Sequence, residues 1–149
     1  MLHIEVDTAG AEADLRRLSS DLDREMQRAL RLAGRMVEDE AKKRSPISPT
    51  KAQARGTGYH YDSKKAPGTL TNSIGIKMGR DYVDVGVMSG NARKYAEKIH
   101  DGKYKLGSGS KAKGAGVGPK FLDRAYEENE GKVRGVFEKR ANAAVARVA

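Results

Sequence analysis

Hydrophobic positions near the start of the chain predict one long helix. Between residues 11 and 44, apolar side chains recur at alternating spacings of three and four, the period of an amphipathic α-helix. Pro46 ends the pattern, because proline disfavours helical geometry at the residue before it. Before this helix, Leu2, Ile4 and Val6 alternate with polar residues and predict a short strand. The apolar helix positions are Leu15, Leu18, Leu22, Met26, Ala29, Ala33, Met36 or Val37, and Ala41.

The clearest strand pattern lies in the middle of the chain. Two alternating apolar runs flank Gly79-Arg80-Asp81, and they predict an antiparallel hairpin with one buried face. Such alternation argues against a doubly wound nucleotide-binding sheet, which needs continuous apolar strands separated by crossover helices. The two runs are Ile74, Ile76 and Met78, followed by Val83, Val85 and Val87.

Two further helices and two long loops complete the predicted architecture. Residues 92–101 have helical spacing and stop at Gly102, and Gly118-Pro119 places a proline in the first turn of the last helix. Residues 46–68 and 103–118 are rich in glycine, proline or serine and predict loops. The order of elements predicts a single α+β domain, with long N- and C-terminal helices on a small antiparallel sheet.

Composition narrows the possible chemistry. Hydrophobic residues make up 38% of the chain and charged residues 33%, which predicts a small core. The chain has no cysteine, so thiol catalysis, disulfides and cysteine-based metal sites are excluded. No run approaches the roughly 20 apolar residues of a membrane span, and the first residues do not resemble a signal peptide. We therefore expect synthesis in the cytoplasm and no membrane partner.

The net charge of +9 is concentrated in the middle of the chain. Residues 45–118 hold thirteen Lys and Arg against five Asp and Glu, and most of this excess falls in the two loops. Such loops could contact nucleic acid or an acidic partner, or could remain solvated. One hypothesis is therefore a small non-specific DNA-binding protein, although few aromatic residues accompany the lysines. The candidate contacts are Lys51, Arg55, Lys64, Lys65, Lys103, Lys105, Lys111 and Lys113.

Tests for catalytic and phosphate-binding motifs give negative results. His100 and Asp101 are neighbours in a predicted helix, and side chains one residue apart do not face each other. Residues 102–118 depart from both GxxxxGK[ST] and GxGxxG, and no predicted strand leads into them. The three histidines lack metal-ligand spacing. We predict no catalytic residue, cofactor or metal, and an enzyme using His100 is the least favoured hypothesis.

Five short motifs, taken in order, resemble the tail-completion or head-to-tail joining proteins of long-tailed bacteriophages. They are a helix end followed by Ser-Pro, a Gly-x-Leu-x-x-Ser-Ile segment, a Val-x-Val-Gly strand, a Tyr-Ala helix closing on glycine, and a Pro-x-Phe-Leu helix start. The stretch of residues 47–67 is longer than the usual connection in that family. The matching positions are Ala41, Lys42, Ser45, Pro46, Gly68, Leu70, Ser73, Ile74, Val83, Val85, Gly86, Tyr95, Ala96, Gly102, Pro119, Phe121, Leu122 and Ala125.

The resemblance implies a structural protein of the virion. It implies a homo-oligomeric ring, a hexamer, at the head-proximal end of the tail, in contact with other neck and tail proteins and made in the host cytoplasm. It implies no catalysis and no cofactor. A ring around a DNA passage would also give the basic loops a use, since lysines facing the lumen attract phosphate without reading sequence.

Overall fold

The computed structural model describes residues 9–48, 50, 52, 55, 68–102, 106–114 and 116–147. Within them the chain forms α1 (Ala9–Arg44), α2 (Thr69–Ser73), β1 (Ile74–Met78), β2 (Val83–Val87), α3 (Gly90–His100), α4 (Ser108–Ala112) and α5 (Phe121–Val145). The α+β prediction is confirmed. The strand predicted from Leu2, Ile4 and Val6 and most of the first predicted loop lie outside the described residues.

The two long helices run antiparallel and form the main packing layer. Near the end of α1, Arg44 pairs with Glu128 in the second turn of α5, while Arg140 and Arg147 at the other end of α5 reach back to Glu25. Many of the buried residues in the layer are alanines, and small side chains let two helix backbones approach closely. The predicted small core is therefore built around a close helix pair. The buried alanines on these helices are Ala29, Ala33, Ala41, Ala125 and Ala144.

The hairpin packs on α1 with the predicted face inward. Cross-strand partners are Ile74 with Val87, Ile76 with Val85, and Met78 with Val83, so both apolar runs lie on the same face. The described residues contain one sheet, with these two strands.

Gly34 explains how closely the hairpin approaches α1. A Cβ atom on this glycine would lie 2.6 Å from Cγ2 of Val83, nearer than real Cβ contacts allow. At the tip of the hairpin, the Gln27 side chain donates a hydrogen bond to the carbonyl of Arg80. The hairpin is therefore held against α1 at two places.

Three local features differ from the sequence prediction. Residues 69–73 form one helical turn that follows Gly68, whose φ of 83° suits glycine. A second short helix, Ser108–Ala112, interrupts the predicted loop of residues 103–118, because tertiary contacts anchor it. The last helix begins at Phe121, so Pro119 precedes the first turn instead of lying in it.

The late start of α5 follows from two backbone hydrogen bonds. The amide of Gly118 donates to the carbonyl of Arg44 at 3.2 Å, and the amide of Lys120 donates to the carbonyl of His100 at 2.9 Å. These bonds tie the chain to the ends of α1 and α3 before it becomes helical. The predicted glycine stop of α3 is confirmed, since Gly102 has a φ of 77°.

Candidate functional site

The structure describes three of the eight basic side chains predicted as loop contacts. Arg55 and Lys111 are exposed, and Lys113 is half-buried. The other five lie outside the described residues, so their role as contacts stays a prediction. They are Lys51, Lys64, Lys65, Lys103 and Lys105.

Lys113 is engaged inside the molecule. Its Nζ donates to the carbonyl of Lys42 at 2.9 Å and to the carbonyl of Ser45 at 2.8 Å. These carbonyls lie at the C-terminal end of α1, where backbone acceptors lack helical partners and a positive charge is favoured. Burial lowers the pKa of Lys113 from its ordinary value. This lysine therefore caps α1.

Hydroxyl groups connect the same end of α1 to α2 and α4. The Ser45 hydroxyl donates to the carbonyl of Lys42 at 2.8 Å and lies 2.6 Å from the hydroxyl of Thr71. Ser110 on α4 accepts from the amide of Ile47 at 2.9 Å, and its hydroxyl donates to the carbonyl of the same residue at 3.0 Å. We call these groups and Lys113 the α1 junction. The second basic segment is docked here, so its described part is not the free connector that its composition suggests.

The family motif residues gather around the α1 junction and the adjoining core. Phe121 is completely buried and meets the His100 ring edge-on, with the ring centroids 5.7 Å apart. Pro119 packs against Gly102, where a Cβ would lie 3.2 Å from the proline ring. These positions serve the fold. The buried members are Ala41, Ser45, Pro46, Leu70, Ser73, Ile74, Ala96, Phe121 and Ala125, while Gly68, Gly86, Tyr95, Pro119 and Leu122 are half-buried.

A different basic surface, which we call the arginine face, lies along α1 and the end of α5. Its α1 members recur at spacings of four, three and four, which places them on one side of the helix. A groove of about 380 Å³ runs between them, with Leu32 and Gln27 also in its lining. The arginine face consists of Arg24, Arg28, Arg31, Arg35, Arg140 and Arg147.

A buried carboxylate holds half of the arginine face together. Glu25 is completely buried, and its two oxygens accept from Arg28 at 2.7 Å, Arg147 at 3.0 Å and Arg140 at 3.2 Å. Burial raises the pKa of Glu25, but the hydrogen bonds from Arg147 and Arg140 and the charge of Arg28 outweigh it and bring the pKa below its ordinary value. The carboxylate is therefore charged at neutral pH and fixes three guanidinium groups from two helices.

The sequence analysis did not identify this surface. The spacing of four, three and four was a signal that was present in the chain. The contribution of Arg140 and Arg147 depends on the antiparallel return of α5, more than 100 residues later, and no local pattern shows it.

An apolar groove lies where α1, the hairpin and α5 meet. It has a volume of about 560 Å³, and Tyr126 at its edge is 52% exposed. Asp123 and Glu127 are the charged residues in its lining. Its apolar lining consists of Leu30, Ala33, Gly34, Val37, Val83, Val85, Leu122, Tyr126, Val133 and Phe137.

His100 lies near a carboxylate that is distant in the sequence. Its Nε2 lies 3.5 Å from Oδ1 of Asp123 at the start of α5. Its ring makes a T-shaped contact with Phe121, which places it among packing residues. Among the described residues there is no group of three or more His, Asp and Glu side chains able to hold a metal ion. None of the described helices is long and apolar enough to cross a membrane.

The comparison with protein families identifies the chain. A family described as "Bacteriophage HK97-gp10, putative tail-component" matches residues 9–144. The chain belongs to this HK97-gp10-like family. No curated protein and no solved structure matches it. The resemblance to phage tail-completion and neck proteins is confirmed at the level of the family.

Membership of the HK97-gp10-like family gives the coarse part of the function. The protein is a bacteriophage tail component, which places it in the virion and among other tail proteins. This favours a structural role over an enzymatic one.

Proposed function

We propose that the protein is a tail-completion or head-to-tail joining component that forms a homo-oligomeric ring at the head-proximal end of the tail. Six copies form the ring, and other neck and tail proteins contact it. The role is structural, without catalysis or a cofactor. The proposal rests on the exposure of the first part of α1, which no other described residue of the same chain covers.

The first turns of α1 extend beyond the end of α5. Every residue from 10 to 20 is exposed apart from Leu18, which is half-buried, and Leu15 is 65% exposed. Leu15, Leu18 and Leu22 recur at spacings of three and four, so they form an apolar stripe on one side of the helix. We call residues 10–22 the overhang. An apolar stripe on a protruding helix is typical of a surface that binds a partner.

The apolar groove provides a second and different surface on the same chain. Between Leu122 and Phe137 it follows α5 for about 22 Å at the helical rise of 1.5 Å per residue, whereas Leu15 to Leu22 spans about 10 Å. The stripe is therefore short enough to lie in the groove of another copy. Contact between two unlike surfaces is heterologous, and such contacts close into rings when the rotation allows it. These features support a ring of identical subunits.

The test combines mass photometry of the purified protein with imaging of virions. We expect wild-type rings and copies at the head-proximal end of the tail. Leu15→Glu should abolish the rings, because a carboxylate would be buried in the apolar contact. It should leave the helical circular dichroism signal unchanged, since Leu15 is 65% exposed.

The matched control is Ser20→Glu, an exposed position on the opposite side of the overhang. It adds the same charge and should preserve the rings. A wild-type protein that stays monomeric and has no copy in the virion would contradict the proposed function.

A further inference from the structure

We propose that the arginine face binds the phosphate backbone of duplex DNA without reading base sequence. Guanidinium groups suit this ligand, because each is permanently charged and presents a planar fork of donors to phosphate oxygens. None of the eight basic residues predicted as loop contacts is a member of this surface, so the inference assigns a different set of residues. It rests on the proposed function only for the presence of DNA beside the protein.

The site is built before a ligand arrives. Glu25 fixes the guanidinium groups of Arg28, Arg140 and Arg147, yet these side chains remain 54%, 39% and 48% exposed. Their remaining N–H donors can therefore reach an external anion. Holding the groups in place beforehand reduces the side-chain entropy lost on binding.

The arginine face carries an excess of positive charge that can attract anions. Its six arginines face two carboxylates, Glu25 and Asp21, so four positive charges are not neutralised. Arg31 and Arg35 are exposed, and neither has a carboxylate partner within ion-pair distance in the described part of the chain. These two arginines are the strongest candidates for phosphate contacts.

The dimensions of the face match a short stretch of duplex. From Arg24 to Arg35, α1 rises about 16 Å. Duplex DNA carries one phosphate charge per roughly 1.7 Å of its axis when both strands are counted, and each base pair contributes two phosphates. The length of the arginine face therefore corresponds to about five base pairs. A groove of about 380 Å³ between the arginines allows the backbone to approach them.

The composition of the face favours DNA over an acidic protein partner. Stable protein interfaces have an apolar centre surrounded by polar residues. Leu32, which is 41% exposed, is the one large apolar side chain in the lining of this groove. A surface made mainly of arginines is typical of binding to a polyanion backbone.

The experiment measures binding of a fluorescently labelled duplex by anisotropy over a range of salt concentrations. We expect wild-type protein to bind at low salt with an affinity that falls steeply as salt rises. In Arg31→Gln/Arg35→Gln, the slope of log K against log salt should decrease by about 2, because two phosphate contacts are lost.

Two control variants separate the site from total charge. Lys94→Gln/Lys98→Gln removes two exposed charges from α3 and should bind like wild type. Lys103→Gln/Lys105→Gln/Lys111→Gln tests the predicted basic loop. The inference is overturned if wild type does not bind at low salt, if the α3 variant loses as much affinity as the arginine variant, or if only the loop variant loses affinity.

A protein partner at the same surface gives a different result. Arg31→Gln/Arg35→Gln would then bind DNA like wild type but fail to enter virions, and the face would be a protein interface. The DNA measurement uses purified protein and does not require assembly. If the rings form normally but the protein does not bind DNA, this inference alone is overturned. If the protein binds DNA but forms no rings and has no copy in virions, the proposed function alone is overturned.

Discussion

The two ends of α1 have different surroundings. At its C-terminal end, the α1 junction satisfies the last carbonyls with Lys113 and places hydroxyl groups of neighbouring elements against the helix. At its N-terminal end, residues 10–20 are almost entirely exposed, and Leu15 has no cover in the described structure. The same helix is a core element at one end and a free surface at the other. Substitutions at the first end should therefore change stability, and those at the second should change binding.

The largest effect is expected at Phe121, in the core beside the α1 junction. Phe121→Ala should lower the free energy of unfolding by about 3–5 kcal/mol, because it removes a completely buried ring and leaves a cavity. Urea denaturation followed by circular dichroism gives this value. Tyr126→Ala on the same helix is the control and should cost roughly 1 kcal/mol, since the ring is 52% exposed. Equal losses of unfolding free energy in the two variants would mean that the buried ring of Phe121 contributes no more to stability than the exposed ring of Tyr126.

A smaller effect should separate two lysines that lie two residues apart. Lys113→Met keeps an unbranched side chain, shorter by its terminal atom, but removes the donor to the carbonyls of Lys42 and Ser45. The free energy of unfolding should therefore fall by about 1–2 kcal/mol. Lys111→Met loses an exposed charge and should stay within about 0.5 kcal/mol of wild type. Chemical denaturation of both variants measures the difference. If both behave alike, Lys113 does not cap α1.

The smallest effect should be a pH dependence of the free energy of unfolding that comes from Glu25, the buried carboxylate of the arginine face. The folded-state pKa of this carboxyl is lowered, so its contribution to stability is full above its ordinary pKa of 4.5 and is lost as the pH falls through the lower folded value. In Glu25→Gln the loss of stability on acidification should be smaller. Denaturation at pH 7 and at pH values below 4.5 measures this.

A residual pH dependence should remain in Glu25→Gln. Burial raises the pKa of Glu40, but its bonds to Lys43 and Arg44 outweigh this and lower it overall, so Glu40 contributes with the same sign. Glu130→Gln is the matched control, because Glu130 is exposed and only loosely paired with Arg134 at 3.7 Å. An unchanged pH profile in Glu25→Gln would contradict the role of Glu25 in stability.

Periodicity was sufficient to predict the elements with strong patterns. The long helix, the hairpin with its apolar face and the glycine stop at Gly102 are all confirmed, because each depends on residues close in the sequence. The turn of residues 69–73 and the helix Ser108–Ala112 were missed. Both are five residues long, too short to show a period, and the second is anchored by Ser110 to Ile47, 63 residues away.

The candidate surfaces were harder to predict than the fold. Counting charges led to the loops, where Lys113 is used to cap α1 instead of facing a partner. The arginine face needs Glu25 to be buried, and that burial depends on the position of α5. Local sequence patterns report which residues are charged, but they do not report which charges are already neutralised. The exposed overhang was missed for a similar reason, since its leucines follow the same period as the buried ones.

The link between Glu25 and Arg147 also has a consequence for biosynthesis. The two residues are separated by 122 positions in the chain, so α1 is made long before its partner. During translation, Glu25 has neither Arg140 nor Arg147 to neutralise it until the end of α5 has left the ribosome. The arginine face is therefore complete only on a chain synthesised as far as residue 147. A nascent chain or a fragment without this segment should neither bury Glu25 nor present the full surface.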